Sequence, residues 1–268
     1  MILAAAVITL IAGMVVRIQA SQPPKRTELE ELVAQGEPEQ HVHALVIEPD
    51  GTTFAGLHTG IFASKGTTGW KLQPGSEGDT MSLAPAGGTD LYVANPAMGI
   101  GKYTGGKYEV LLAGQGHTVA VDPKDRGHVL GFLLELGLQE SRDGGKTWNR
   151  IVDPGQIDLL TLAISPADSN LYVAGGLDGL FGISKDGGKN WTWSTLPYGV
   201  VTSLAFDPAN PTRLWAAMGG ALYFSDNAGS TWTRAENKAG DHSVIAIAFP
   251  PGQSGPRAVA TDGYLFNQ

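Results

Sequence analysis

The sequence contains no cysteine among its 268 residues. Disulfide bonds, thiolate nucleophiles and cysteine-ligated metal sites are therefore excluded. Charged residues make up only 16% of the chain, and the net charge of −8 comes with no dense basic stretch. Because nucleic-acid backbones are bound by clustered lysine and arginine, we expect no nucleic-acid partner.

Convincing helical periodicity is also lacking after about residue 35. Only residues 27–34 suggest one or two helical turns, which we interpret as a linker. The chain is instead rich in residues that turn the backbone, with 37 glycines and 16 prolines, and its 42% apolar content is enough for a substantial core. This composition favours an all-β fold with frequent turns.

The N-terminus carries the longest apolar run, MILAAAVITLIAGMVV over 1–16, which has no charge. At about 1.5 Å per residue such a helix spans roughly 24 Å, slightly less than a hydrocarbon core of about 30 Å. No basic residue precedes the run and 21–24 is a poor cleavage site, although 18–20 loosely resembles one. We therefore predict one retained transmembrane helix over 1–20, with an uncleaved or cleaved signal peptide as the alternative, followed by a linker over 21–40.

A strand-like segment recurs six times from residue 44 onward. Each copy is a short apolar run that closes near an acidic or small residue and proline: ALVIEP (44–49), SLAPAG (82–87), TVAVDP (118–123), TLAISP (161–166), SLAFDP (203–208) and AIAFPP (246–251). The closing positions 49, 86, 123, 166, 208 and 251 are 37, 37, 43, 42 and 43 residues apart. A spacing near 40 is typical of a four-stranded propeller blade.

Each of these segments is followed by two β-rich runs divided by a turn, and five of them also by a run that begins at tryptophan or tyrosine. We therefore predict an all-β, six-bladed β-propeller of four-stranded antiparallel blades over 41–268. The last repeat ends without its fourth strand. The segment 35–40 is the candidate to supply this closing strand.

A sharper motif, S-x-D-x-G-x-T-W, lies between the third and fourth strands of three repeats. Its defining residues are Ser141, Asp143, Gly145, Thr147 and Trp148; Ser184, Asp186, Gly188 and Trp191; and Ser225, Asn227, Gly229 and Trp232. We expect the Asp or Asn to cap backbone amides of a hairpin, glycine to take a positive φ and tryptophan to pack between sheets. These residues are predicted to be structural and not catalytic.

The three motifs resemble the Asp-boxes, or BNR repeats, of a propeller family that includes sialidases, sortilin-type receptors and photosystem II assembly-factor propellers. The opening HVHALVIEP is also similar to the start of bacterial propellers labelled glycosylhydrolases. The resemblance implies an extracytoplasmic, periplasmic propeller. The positive-inside rule predicts the opposite, a cytoplasmic propeller, because the apolar run is followed by Arg17, Lys25 and Arg26. The charge signal for the side of the membrane is therefore ambiguous.

Sialidases of this family bind the substrate carboxylate with an arginine triad, and they use a tyrosine–glutamate pair as the nucleophile and an aspartate as the acid. The arginine motif R-I-P is absent here, since Arg17 and Arg150 are followed by isoleucine but not by proline. A glycosidase also needs two opposed carboxylates. The carboxylates expected near loop mouths, which no sequence pattern pairs, are Glu135, Asp158, Asp178, Asp241 and Asp262.

The histidines form the most suggestive constellation. His43 and His117 each stand six residues before a closing position, so they occupy equivalent places in blades one and three. His41 and His242 lie at the entrances of blades one and six, which are neighbours in a closed ring. Because first strands line the central channel, these four side chains define a candidate metal or ligand site. The alternative is a set of hydrogen-bonded polar residues at a water-filled channel entrance.

The expected function is a non-enzymatic, membrane-anchored propeller without a cofactor. It would act as an accessory subunit or assembly factor of a larger membrane complex, contacted through the N-terminal helix and a propeller face. Similarity to assembly-factor propellers makes a photosynthetic reaction-centre-type complex the specific expectation. A sialidase-like glycoside hydrolase and a ligand-binding propeller are the alternatives.

Overall fold

The computed structural model describes residues 28–35, 41–66, 68–152, 157–250 and 255–268. In this part of the chain the fold is a six-bladed β-propeller: five sheets of four antiparallel strands and a sixth sheet of three. The predicted all-β, six-bladed propeller of antiparallel blades is confirmed. The degenerate second repeat, SLAPAG, is indeed the first strand of a blade.

The elements follow one another blade by blade. The helix is α1 Glu28–Gln35. Blades one to three contain β1 Val42–Ile47, β2 Thr52–Leu57, β3 Gly60–Lys65 and β4 Lys71–Leu72; β5 Ser82–Gly87, β6 Asp90–Asn95, β7 Gly99–Thr104 and β8 Lys107–Leu112; and β9 Gly116–Val121, β10 Val129–Leu133, β11 Gly137–Ser141 and β12 Asn149–Val152. Blades four to six contain β13 Leu159–Ile164, β14 Tyr172–Gly176, β15 Leu180–Ser184 and β16 Thr192–Thr195, with a 3-10 turn at Leu177–Gly179; β17 Val201–Phe206, β18 Leu214–Met218, β19 Ala221–Ser225 and β20 Thr233–Arg234; and β21 Val244–Ala248, β22 Arg257–Ala260 and β23 Leu265–Asn267.

The residue before proline explains how several first strands end. The Oδ1 atoms of Asp122 and Asp207 accept hydrogen bonds from the backbone N–H groups two residues later, at 2.8 and 2.9 Å. The hydroxyl of Ser165 accepts the equivalent bond at 3.2 Å. Such side-chain turns replace the strand ladder at the point where proline prevents its continuation. The segment that closes near proline therefore marks one end of these blades, here called the lower face.

A β-bulge recurs at the opposite end of the first strands, here called the upper face. In blade one Val42 pairs with Leu57 and Ala44 with Gly56, so that His43 is the extra residue. The same shift makes His117 the extra residue in blade three. Leu160, Thr202 and Ile245 are its counterparts in blades four to six. Because a bulge re-aims the side chain that it adds, the equivalence of His43 and His117 has a geometric basis.

The core consists of apolar clusters between neighbouring blades, one at each of the six interfaces. The ring closes between blades six and one, where the Val42 N–H donates to the Thr261 carbonyl at 3.1 Å. The first strands also line an apolar channel of about 360 Å³ along the axis. Residues such as Val46, Leu162 and Leu204 form its wall.

The linker forms a helix where it meets the ring. α1 contributes the fully buried Leu29, with Leu32 and Val33 half-buried, to the apolar cluster between blades six and one. Residues 36–40, most of the segment expected to supply the closing strand, lie outside the described residues, as does the anchor predicted over 1–20. Within the described ranges, no helix is long and apolar enough to cross a bilayer.

Candidate functional site

Three imidazoles meet on the upper face of blade one, and we call His41, His43 and His58 the three-histidine cluster. Their ring centroids are 4.3, 4.5 and 4.5 Å apart. His41 immediately precedes β1, His43 is the bulge residue, and His58 lies in the turn between β2 and β3. The β1–β2 pairing, which sets Val42 opposite Leu57, places these residues side by side.

One carboxylate from the neighbouring blade faces this cluster. Asp79, on the segment that leads into β5, places Oδ2 3.1 Å from His58 Nδ1 and Oδ1 3.8 Å from His43 Nε2. Its main chain is fixed because its carbonyl accepts a 2.7 Å bond from Asn95 Nδ2. The Thr80 N–H also donates to the Leu57 carbonyl at 3.1 Å. The packing of blade two on blade one therefore holds Asp79 in place.

Asp79 Oδ1 is buried and, within the described residues, makes no hydrogen bond. A buried carboxylate oxygen without a donor is costly, because desolvation removes water that nothing replaces. The distance of 3.8 Å to His43 is too long for a hydrogen bond. The site thus has one carboxylate oxygen that no hydrogen-bond donor of the described residues reaches.

Burial and the adjacent imidazoles keep His43 neutral. Burial is the larger cause, and repulsion from His41 and His58 adds to it, so that the pKa of His43 falls to about 4 although Asp79 opposes the shift. A neutral imidazole offers a nitrogen lone pair. Near neutral pH His43 therefore offers a nitrogen lone pair beside the Asp79 carboxylate, and atoms of these two kinds are suited to binding a cation.

The other two predicted histidines belong to separate pairs. His117 Nδ1 lies 2.8 Å from Asp158 Oδ1, and His242 Nδ1 lies 2.7 Å from Asp262 Oδ2. His242 also stacks on Tyr264, with ring centroids 4.1 Å apart. The four histidines selected from the sequence therefore do not form one site. His41 and His43 come together, and His58 and Asp79 join them.

His58 and Asp79 were missed because neither is near His43 in sequence. His58 could have been found from the hairpin register, since a turn at Asp50 and Gly51 sets the end of β2 beside the start of β1. Asp79 gives no such local signal. Its position depends on how two blades pack, which is set by side chains far apart in the chain.

A second polar group lies between blades three and four and is largely buried apart from the exposed Arg142; we call Asp122, His128, Glu140, Arg142 and Tyr172 the buried network. His128 contacts a carboxylate oxygen, a hydrogen-bond acceptor, at each ring nitrogen, with Nδ1 3.1 Å from Asp122 and Nε2 3.0 Å from Glu140. Glu140 Oε1 also accepts from the Tyr172 hydroxyl at 2.8 Å and from Arg142 at 2.8 Å. Tyr172 is fully buried.

The charges of the buried network stabilise one another. Burial opposes the ionisation of Glu140, but the bonds from His128, Tyr172 and Arg142 outweigh it and hold the pKa of this carboxyl at about 2. Burial likewise disfavours protonated His128, yet the bonds to Glu140 and Asp122 outweigh it and raise the pKa of His128. The network is an ionised, internally paired group that joins two blades.

The three S-x-D-x-G-x-T-W motifs form compact hairpins held by their own side chains. In blade three, Ser141 Oγ accepts from the Gly145 N–H at 2.8 Å and Asp143 Oδ1 from the Thr147 N–H at 2.9 Å. Trp148 Nε1 donates to the Gly145 carbonyl at 3.0 Å.

The other two copies repeat these bonds with small changes. Asp186 caps Asn190 in blade four, and Asn227 caps Thr231 in blade five, both at 2.9 Å. Trp232 differs from its counterparts because, in the described part of the chain, its buried Nε1 has no hydrogen-bond partner. The motif side chains are thus occupied in local bonds.

Comparisons with known proteins support the fold and nothing finer. No family model matches the chain, and no curated protein matches it. A chain in the crystal structure of a nidogen/laminin complex is similar in structure, with a TM-score of 0.61, 14% identity, and coverage of 82% of this chain and 85% of that one. An ancestral GH74 enzyme is more distant, with a TM-score of 0.46 and 17% identity. This match covers 82% of this chain but only 27% of that one.

Proposed function

We propose that this chain is a non-enzymatic binding propeller of the Asp-box type, tethered by its N-terminal segment and acting as an accessory subunit or assembly factor of a larger membrane complex. The observation that carries this proposal is the way α1 is built into the ring. Leu29 is fully buried in the cluster that also contains Trp70 of blade one and Val259 of blade six. The tether therefore begins at a fixed point of the propeller.

Close backbone contacts add to this apolar packing. The Gly69 N–H of blade one donates to the Glu28 carboxylate of α1. On the blade-six side, a Cβ added at Gly263 would lie only 2.8 Å from the Leu29 carbonyl oxygen. A tether fixed in this way holds the ring close to whatever the preceding segment binds, which raises the effective concentration of the propeller at its partner.

The glycosidase alternative is less well supported by the geometry. Glu140 and Tyr172 are in hydrogen-bond contact, as a sialidase-like pair would be. However, Tyr172 is fully buried, and Glu140 already accepts bonds from Tyr172 and Arg142. A substrate would have to open the interface between blades three and four to reach them. These contacts favour a structural role for the pair.

A purification from native membranes tests the proposal. The full chain would be isolated in mild detergent without crosslinking and run on a native gel beside a Leu29→Ala variant and a matched control, Leu177→Ala, whose side chain is exposed on blade four. We expect wild type and control to migrate with a stoichiometric membrane complex, of photosynthetic reaction-centre type as the first expectation, and Leu29→Ala to be recovered at a lower ratio. A monomer that hydrolyses a glycoside would contradict the proposal.

A further inference from the structure

The three-histidine cluster is unusual among the polar groups of the upper face because like groups are placed together. His117 and His242 each have a carboxylate at hydrogen-bond distance, 2.8 and 2.7 Å away. In blade one, Asp79 Oδ2 lies 3.1 Å from His58, but Oδ1 is 3.8 Å from His43 and remains without a donor within the described residues. Ordinary pairing explains the first two sites but not the third.

The spacing of the ligand atoms fits a small cation. Tetrahedral zinc binds imidazole nitrogen at about 2.0–2.1 Å, which sets neighbouring ligand atoms roughly 3.3 Å apart. His43 Nε2 lies 3.3 Å from His58 Nε2 and 3.5 Å from His58 Nδ1. One ligand atom from each of His41, His43 and His58 lies within 4.8 Å of the others.

Asp79 is placed to complete such a set. Its carboxylate is 3.1 Å from His58 and 3.8 Å from His43, and its buried Oδ1 has no hydrogen-bond partner among the residues that the structure describes. Asn95 holds the Asp79 carbonyl at 2.7 Å, which limits the freedom of the segment. The metal would then link blade one to blade two.

We propose that His41, His43, His58 and Asp79 bind one divalent transition-metal ion, with Zn²⁺ as the preferred ion. Three imidazole nitrogens and one carboxylate oxygen suit the borderline ions of this class, and a tetrahedral arrangement suits zinc. Metal binding requires neutral imidazoles.

The test uses the full chain in detergent, stripped with a chelator and dialysed against Zn²⁺, with the bound metal measured by mass spectrometry. Co²⁺ replaces Zn²⁺ in a parallel titration, because its visible spectrum reports coordination geometry. We expect one tightly bound ion per chain and a tetrahedral Co²⁺ spectrum. Absence of stoichiometric binding by wild type would overturn the proposal.

Variants assign the site. His58→Gln should weaken Zn²⁺ binding by at least about 100-fold, since loss of an outer-shell partner alone typically costs 10–100-fold. Asp79→Asn, which keeps the shape of the side chain, should weaken binding by a smaller factor. It tests the site independently if His58→Gln fails to fold. His117→Gln, at the equivalent bulge of blade three, and His242→Gln are the matched controls and should bind as wild type does.

Two results would place the ion elsewhere. Unchanged affinity in both His58→Gln and Asp79→Asn would contradict the assignment. So would loss of binding in His242→Gln, since His242 lies with Glu30 and Asp262 in a second group of metal-ligand type. Circular dichroism of each metal-free variant confirms that its fold is retained.

Discussion

The buried network and the three-histidine cluster surround a buried imidazole with opposite kinds of neighbour. In the buried network, His128 lies between Asp122 and Glu140, and every partner is at 3.1 Å or less. In the three-histidine cluster, His43 has two imidazole neighbours and a carboxylate at 3.8 Å. The pKa of His128 is raised and that of His43 is lowered.

The difference shows how a complete polar group is distinguished from an incomplete one. The buried network satisfies its own charges, so nothing further is needed to explain it and its effect is on stability. The three-histidine cluster brings three imidazoles together and leaves a carboxylate oxygen of Asp79 without a hydrogen-bond donor in the described part of the chain. A site of the second kind is suited to a ligand.

The largest effect is expected when the buried network is broken. Glu140→Ala leaves His128, Arg142 and Tyr172 without their common acceptor, so we expect a loss of about 3–5 kcal/mol in the free energy of unfolding. Urea denaturation measures it. The matched control is Glu109→Ala on the exposed β8, which should change stability by less than about 0.5 kcal/mol. A loss below about 1 kcal/mol for Glu140→Ala would show that the network contributes little.

Acidification should remove part of the same contribution. The folded-state pKa of Glu140, about 2, is below its ordinary value of 4.5, so its stabilising effect is present above pH 4.5 and is lost as the pH falls towards 2. The gap in unfolding free energy between wild type and Glu140→Gln should therefore narrow, by as much as about 3 kcal/mol, over this range. Urea titrations at successive pH values test this. A gap independent of pH would contradict the assigned ionisation.

A somewhat smaller effect is expected from metal. If the ion binds only the folded chain, Zn²⁺ at about one hundred times its dissociation constant should add about 2.7 kcal/mol to the unfolding free energy. His58→Gln should show no such gain at the same concentration. Thermal melts with and without Zn²⁺ measure both. An equal gain in the two proteins would mean that the ion acts outside the three-histidine cluster.

The smallest effect is expected at the paired histidine of blade three. His117→Gln removes one partly exposed ion-pair contact with Asp158, which is worth about 1 kcal/mol or less. It should leave the response to Zn²⁺ unchanged. The same thermal melts test this. A loss of the Zn²⁺ response in this variant would contradict the claim that the ion binds the three-histidine cluster and not the His117–Asp158 pair.

Much of the fold could be predicted from the sequence because a propeller repeats one local unit. The repeated apolar segments that close near proline predict the six first strands, including the degenerate copy that forms Ser82–Gly87. The packing of the linker's end on the ring could not be predicted in this way. Leu29 packs into the interface between blades six and one as part of α1, and no local pattern indicates that contact.

Only two of the four residues of the candidate site could be predicted from the sequence. His41 and His43 stand out as a pair on one strand, and the bulge that sets His43 apart recurs at His117. The partners His58 and Asp79 come from a turn and from the next blade, so their contribution depends on tertiary packing. His242 was grouped with the others on blade order alone, and its bond to Asp262 keeps it in a separate pair.

The most direct measurement is anomalous diffraction at the zinc absorption edge from crystals of the full chain grown with Zn²⁺. We expect one strong peak bounded by His41, His43, His58 and Asp79, with ligand atoms at about 2.0–2.2 Å from the ion. A map without a peak at this position, or with its only peak beside His242 and Asp262, would contradict the assignment of the metal site to blade one.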